Sequence, residues 1–137
     1  MATSIRAEIS SKSKYWINKH RHYELKHFCL QYPFWQNAYN ELDGMRGKSD
    51  DILSRSNIPG DPTCKCAEMR TGYFEKMDLI RRTAYEADPY LASYIFRAVT
   101  EDLSFTYLKT RLEIPCGRDM YYDRYRKFFW LLNQARK

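Results

Sequence analysis

The sequence predicts an all-α fold, and three observations carry that prediction. Apolar residues recur at three- and four-residue spacing over most of the chain, and no run alternates with period two for long enough to require a strand. Glycine and proline are sparse, five of each in 137 residues, while 44% of residues are hydrophobic and 29% charged, the balance of a folded chain. The length suits one compact helical domain of about five to six helices with a single core.

Taken in order, Tyr15, Trp16, Lys19, Tyr23 and Phe28 form an amphipathic pattern that predicts a first helix from Ser13 to about Gln31. Tyr32-Pro33 breaks it, because the residue before a proline is driven out of the helical region. Pro33 then fits the first turn of a second helix, with Phe34, Ala38, Tyr39, Leu42 and Met45 at helical spacing until Gly44 and Gly47 weaken it. These two helices make up a predicted N-terminal pair, residues 1–47. Residues 48–63 collect turn formers and two prolines and predict a connecting loop. A helix over 66–86 follows, with Met69, Tyr73, Met77, Ile80 and Ala84 on one side. Asp88-Pro89 reads as a cap plus first-turn proline for a helix over 90–99, closing a central section at residues 64–103.

The C-terminal section, residues 104–137, is predicted to be a helix-turn-helix. Ser104 caps a short helix over 105–112 with the apolar stripe Phe105, Leu108, Leu112. Pro115 and Gly117 interrupt it, and a longer helix, Arg118–Ala135, resumes with Tyr121, Tyr125, Phe128, Phe129 and Leu132 on its apolar side. The same order of elements also describes a plain α-hairpin. Charge tips the reading toward nucleic acid. The chain carries +6 at neutral pH, and the excess sits at its ends: six basic and two acidic residues in 1–27, eight and three in 104–137.

In a helix-turn-helix the first turns of the second helix approach base edges. Arg118, Asp119, Tyr122 and Arg126 are therefore the expected DNA-facing residues, with Arg118 first for a bidentate guanine contact, worth roughly 1–3 kcal/mol of discrimination. Lys109, Arg111, Arg124 and Lys127 are expected on phosphates, which position the protein without reading sequence. Asp119 and Asp123 oppose phosphate unless a neighbouring cation such as Arg118, Arg126 or Lys127 pairs with them.

Tyr107-Leu108, Ile114-Pro115-Cys116, and the run from Met120 through Tyr121, Tyr122, Arg124, Arg126 and Phe129 to Leu132 resemble the C-terminal signature of phage late transcription regulators of the ArpU and RinA type. The resemblance covers about a quarter of the chain. It implies a sigma-like promoter-reading region: Ile114 and Pro115 at the turn, Tyr121 and Tyr122 as the aromatic pair, Arg124 and Arg126 as the basic turn, Phe129 and Leu132 as closing core positions. A phage or mobile-element transcription regulator in a bacterial host cell follows as the expected function.

Other chemistries find less support in the sequence. Cys64 and Cys66 lack the spacing and the second pair of a zinc site. His20 and His22 point about 200° apart on a helix, so neither metal nor cofactor is expected and the histidines read as a basic, solvated face. No local sequence indicates a nucleophile with its base, nor a glycine-rich phosphate loop, so a binder rather than an enzyme is expected. With no apolar run long enough to span a bilayer and no secretory signal in residues 1–13, a cytoplasmic chain with reduced cysteines and no membrane partner is expected.

The expected partner is duplex DNA, bound by a homodimer built from the N-terminal helices, where the apolar corner Tyr32-Pro33-Phe34-Trp35 offers a surface if exposed. From a different class comes a protein inhibitor or adaptor of a mobile element, whose basic face would occupy the nucleic-acid channel of a host defence nuclease such as a CRISPR effector. A ring-forming packaging subunit of the small-terminase kind is a third reading.

Overall fold

The computed structural model describes residues 14–53 and 62–136, and every regular element among them is helical. In chain order these are α1 (Lys19–Leu30), α2 (Tyr32–Leu53), α3 (Pro62–Ala87), α4 (Ala92–Glu101), α5 (Phe105–Thr110) and α6 (Arg118–Ala135). The chain divides into two compact units, Met1–Gln31 with Leu79–Lys137, and Tyr32–Asp78; α3 contributes to both.

In the first unit, α1 packs on α4 and α6, and α4 packs on α6. Its start differs from the predicted one. The Asn18 side chain accepts a hydrogen bond from the His20 backbone N–H at 2.9 Å, and this cap sets the first turn at Lys19, later than the apolar pattern alone suggests. The inward side of α1 carries His22, Leu25, Phe28 and Cys29. Leu25, Ile80, Ile95, Leu108, Ile114, Phe128, Phe129 and Leu132 are all at most 1% exposed and form the core, each apolar side chain of that size contributing about 1.5–3 kcal/mol on burial.

Asp88 acts at the turn before α4 rather than as the helix cap itself. Its Oδ1 accepts from the backbone N–H groups of Tyr90 (2.9 Å) and Leu91 (3.3 Å), and α4 begins only at Ala92, behind Leu91. The predicted start at residue 90 is thus displaced because Asp88 folds residues 89–91 into a turn of their own. At the far end, Asp102 takes a left-handed conformation (φ 57°), and the Leu103 N–H closes on the Ala98 carbonyl at 3.1 Å.

The second unit consists of α2 and the N-terminal part of α3. The Tyr32-Pro33-Phe34-Trp35 corner splits across it: Tyr32 and Trp35 are buried, Phe34 is 65% exposed. Cations lie over the ring faces, Arg70 4.2 Å from the Tyr39 centroid and Lys76 5.5 Å from that of Trp35. Helix α2 runs through Gly44 and Gly47 to Leu53, and α3 begins at Pro62, so the predicted loop 48–63 is helical at 48–53 and 62–63. A glycine in a helix costs only about 1 kcal/mol relative to alanine and does not by itself end one. The remainder of that loop, residues 54–61, lies outside the described residues, as do the side chains of Met45 and Cys64.

Candidate nucleic-acid interface

Ser104 Oγ accepts from the Tyr107 N–H at 3.2 Å, the predicted cap, and starts α5. The helix ends at Thr110, short of the predicted end at Leu112. The Arg111 N–H closes on Tyr107 O at 2.8 Å, Glu113 adopts φ 54°, and the Ile114 N–H returns to Leu108 O at 3.0 Å. The left-handed residue that reverses the chain is therefore Glu113, whereas Gly117 has an ordinary extended φ of −81°. Ile114, at 1% exposed, pins the turn to the core.

Helix α6 begins at Arg118, as predicted, and turns Tyr121, Tyr122, Tyr125, Phe128, Phe129 and Leu132 inward. Tyr122 corrects an expectation. It is 5% exposed, with its ring 6.2 Å from Phe105 and 6.1 Å from Tyr125, and does not face outward toward DNA. Residues 122 and 129 are two helical turns apart, about 20° around the axis, so Tyr122 shares the inward row with Phe129.

Arg124 is likewise committed inside the fold. Its Nε donates to Asp88 Oδ2 at 3.0 Å and its Nη1 donates to Asp123 Oδ2. The hydrogen bond to Asp88 raises the Arg124 pKa above its ordinary value, and the Asp123 charge adds to this. Asp88 thus joins the turn before α4 to the middle of α6, and Arg124 serves the fold instead of a phosphate. Asp123 finds its cation in Arg124 rather than in the expected Arg126 or Lys127. The Asp88 link is invisible in sequence, since 36 residues separate the partners.

The remaining expected contacts lie at the surface or partly exposed. Lys109, Arg111, Arg118 and Asp119 are exposed; Arg126 and Lys127 are half-buried on the outward flank of α6. The Arg118 guanidinium lies 5.1 Å from the Phe105 ring centroid, which orients it while leaving its donors open to solvent. Asp119 sits in the first turn of α6, where the helix dipole favours a carboxylate. Among the described residues, Lys109, Arg111, Arg118, Arg126 and Lys127 have no carboxylate within 4.0 Å. Three cations elsewhere in this unit are engaged by the fold, Arg21 with Glu24 and Asn133, Lys26 with Asp102 and Arg97 with Glu101, while the exposed Lys19 has no carboxylate partner among the described residues.

Directly beneath α6 lies His22, which corrects the reading of the histidines as one solvated face: His20 and His27 are exposed, but His22 is 1% exposed. It shares an inward row with Leu25 and Cys29, a spacing visible in the sequence. Its ring packs edge-on against Phe129 at 4.7 Å, and neither ring nitrogen has a hydrogen-bond partner. Burial, reinforced by the Lys26 charge, lowers its pKa to about 4, so it is neutral at pH 7. Burial also pushes up the Cys116 thiol beside the turn, and the Tyr121 and Tyr125 phenols in the core. None of these groups is poised as a nucleophile or base at neutral pH.

Comparison with family models, with curated proteins and with solved structures finds no match.

Proposed function

We propose that the chain binds duplex DNA through α5, the 111–117 turn and α6, and acts as a sequence-specific transcription regulator of a phage or mobile element. The observation that carries this reading is a set of cations, Lys109, Arg111, Arg118, Arg126 and Lys127, left without carboxylate partners around one helix–turn–helix. Single solvated cations are ordinary on any surface, but several on one motif gain affinity by releasing counterions where they meet phosphates. Arg118 and Arg126 stand about 12 Å apart along the helix axis and about 80° apart around it. Arg118 is the base-reading residue and the other four hold phosphates, with Tyr122 and Arg124 assigned to the fold. The similarity of residues 107–132 to the ArpU and RinA signature supports the regulator role.

Fluorescence anisotropy with a labelled duplex tests the interface. Log affinity should fall linearly with log salt concentration, and the double variant Arg126→Ala/Lys127→Ala should reduce that slope by about 2, one step per phosphate released. A slope unchanged by the double variant would remove α6 from the interface.

A further inference from the structure

Cations are concentrated at both ends of the sequence, and the fold lays the stretch that leads into α1 against α6. The Tyr15 ring meets the Trp130 ring edge-on at 5.8 Å. On α1, Arg21 Nε donates to Asn133 Oδ1 at 2.7 Å and its Nη2 donates to the Arg136 carbonyl at 2.8 Å. Between these contacts Ile17 is buried and the Asn18 cap starts the helix, so the stretch is held on α6 from both sides. At 100° per residue, Trp130 falls between Arg126 and Lys127 around the α6 axis, about 40° from the first and 50–60° from the second, and about 6 Å beyond Arg126 along it. That flank is turned away from the inward row of Tyr121, Tyr125, Phe128 and Leu132. Tyr15 therefore lies on the outward side of α6, one turn past two of the cations assigned to phosphates. Lys14 beside it is exposed, with Nζ 5.4 Å from the Tyr15 ring centroid and no carboxylate within 4.0 Å among the described residues.

We propose that Lys14 is a further phosphate contact to the duplex, placed by the contact of Tyr15 with Trp130, so that the interface runs past the helix–turn–helix onto the N-terminal stretch; this rests on the reading of α6 as the DNA-binding helix. Arg126, Lys127 and Lys14 then follow one flank of α6 in succession, and cations in succession can meet neighbouring phosphates of one strand, each releasing counterions. A carboxylate on that flank next to Tyr15 would have argued against a polyanion there. Lys19 marks the edge of the surface. It is as exposed as Lys14, but two residues from Arg21 on α1 it points about 200° away from the side that reaches α6. Tyr15 is a positioning residue: its ring touches Trp130, and it acts on the duplex only through where it holds Lys14.

The salt dependence of duplex binding by the full chain, read by fluorescence anisotropy, tests the contact. Lys14→Ala should reduce the slope of log affinity against log salt concentration by about 1, and Lys19→Ala should leave it unaltered. Tyr15→Leu should reproduce the lowered slope of Lys14→Ala and Tyr15→Phe should keep that of the wild type, each with an unchanged helical circular dichroism spectrum. If Arg126→Ala/Lys127→Ala lowers the slope while Lys14→Ala does not, α6 stays in the interface and the Lys14 contact is overturned. Equal reductions by Lys14→Ala and Lys19→Ala would also overturn it, since diffuse charge and not a placed side chain would then be at work. A wild-type slope in Tyr15→Leu would overturn the positioning role of the ring. A slope that none of the variants alters, the α6 pair included, would remove the reading of α6 itself, and the Lys14 contact with it.

Discussion

In the unit formed by Met1–Gln31 and Leu79–Lys137, α6 turns three tyrosines, two phenylalanines and a leucine inward, and among the described residues every large side chain less than 2% exposed belongs to this unit. Among the described residues of the unit Tyr32–Asp78, Trp35 is the best-buried large residue at 2%, while Phe34 and Phe74 stay 65% and 53% exposed. Three mutually packed helices can enclose a core, whereas a pair of helices buries only the faces that meet. The difference separates two uses of aromatic residues: those of α6 hold a scaffold under a charged surface, and those of α2 and α3 remain available for contact.

The largest test of this contrast is a pair of truncations. Phe129→Ala, at a 1% exposed site touching His22, Tyr125 and Phe128, should lower unfolding free energy by about 4 kcal/mol in urea titrations, against less than about 1 kcal/mol for Phe34→Ala at its 65% exposed site. Equal losses would mean that the two units do not differ in packing as described.

Acid provides the next effect. The folded pKa of His22 lies near 4, below its ordinary 6.5, so the unfolded chain binds more protons between those values. The stability associated with neutral His22 is complete above about pH 6.5 and falls as pH drops toward 4, by about 3 kcal/mol in all. His22→Phe should remove that component without loss at pH 7, because no hydrogen bond of the ring is given up. Glu101, whose pKa is lowered by its hydrogen bond to Arg97, retains a smaller dependence at lower pH. A wild-type pH profile between 4 and 6.5 that His22→Phe does not alter would contradict this account of the α1–α6 contact.

The smallest effect concerns the turn. Glu113 holds φ 54° without a glycine's freedom, so Glu113→Gly should raise stability by roughly 0.5 kcal/mol, the relief of strain slightly exceeding the added entropy of the unfolded chain. Thermal melts that show a lower midpoint would indicate that the Glu113 side chain contributes a contact of its own.

Much of the fold is legible in the sequence because its signals are local. The Ser104 cap, the start of α6 at Arg118 and the inward row Tyr121, Tyr125, Phe128, Phe129, Leu132 depend on spacing and capping within a few residues. Tyr122 and Arg124 escape such a reading for different reasons. Tyr122 lies at the edge of the apolar arc, where a tyrosine fits either environment, and Phe105 decides it. Charge alone points Arg124 toward phosphate, and only the chain reversal between α4 and α6 brings Asp88 to it. His22 stands in a run of basic residues whose composition masks its place with Leu25 and Cys29 on the buried row. Glu113 takes the left-handed position in place of the nearby Gly117 because the carbonyl of Leu108 fixes where the chain must turn.

Selection from a random duplex pool tests most directly whether α6 reads DNA from its first turn. The wild-type chain should enrich a defined motif, and Arg118→Ala should bind the same pool with relaxed preference at one base pair, by a factor corresponding to roughly 1–3 kcal/mol. Binding that enriches no sequence at any salt concentration, or a motif untouched by Arg118→Ala, would contradict it.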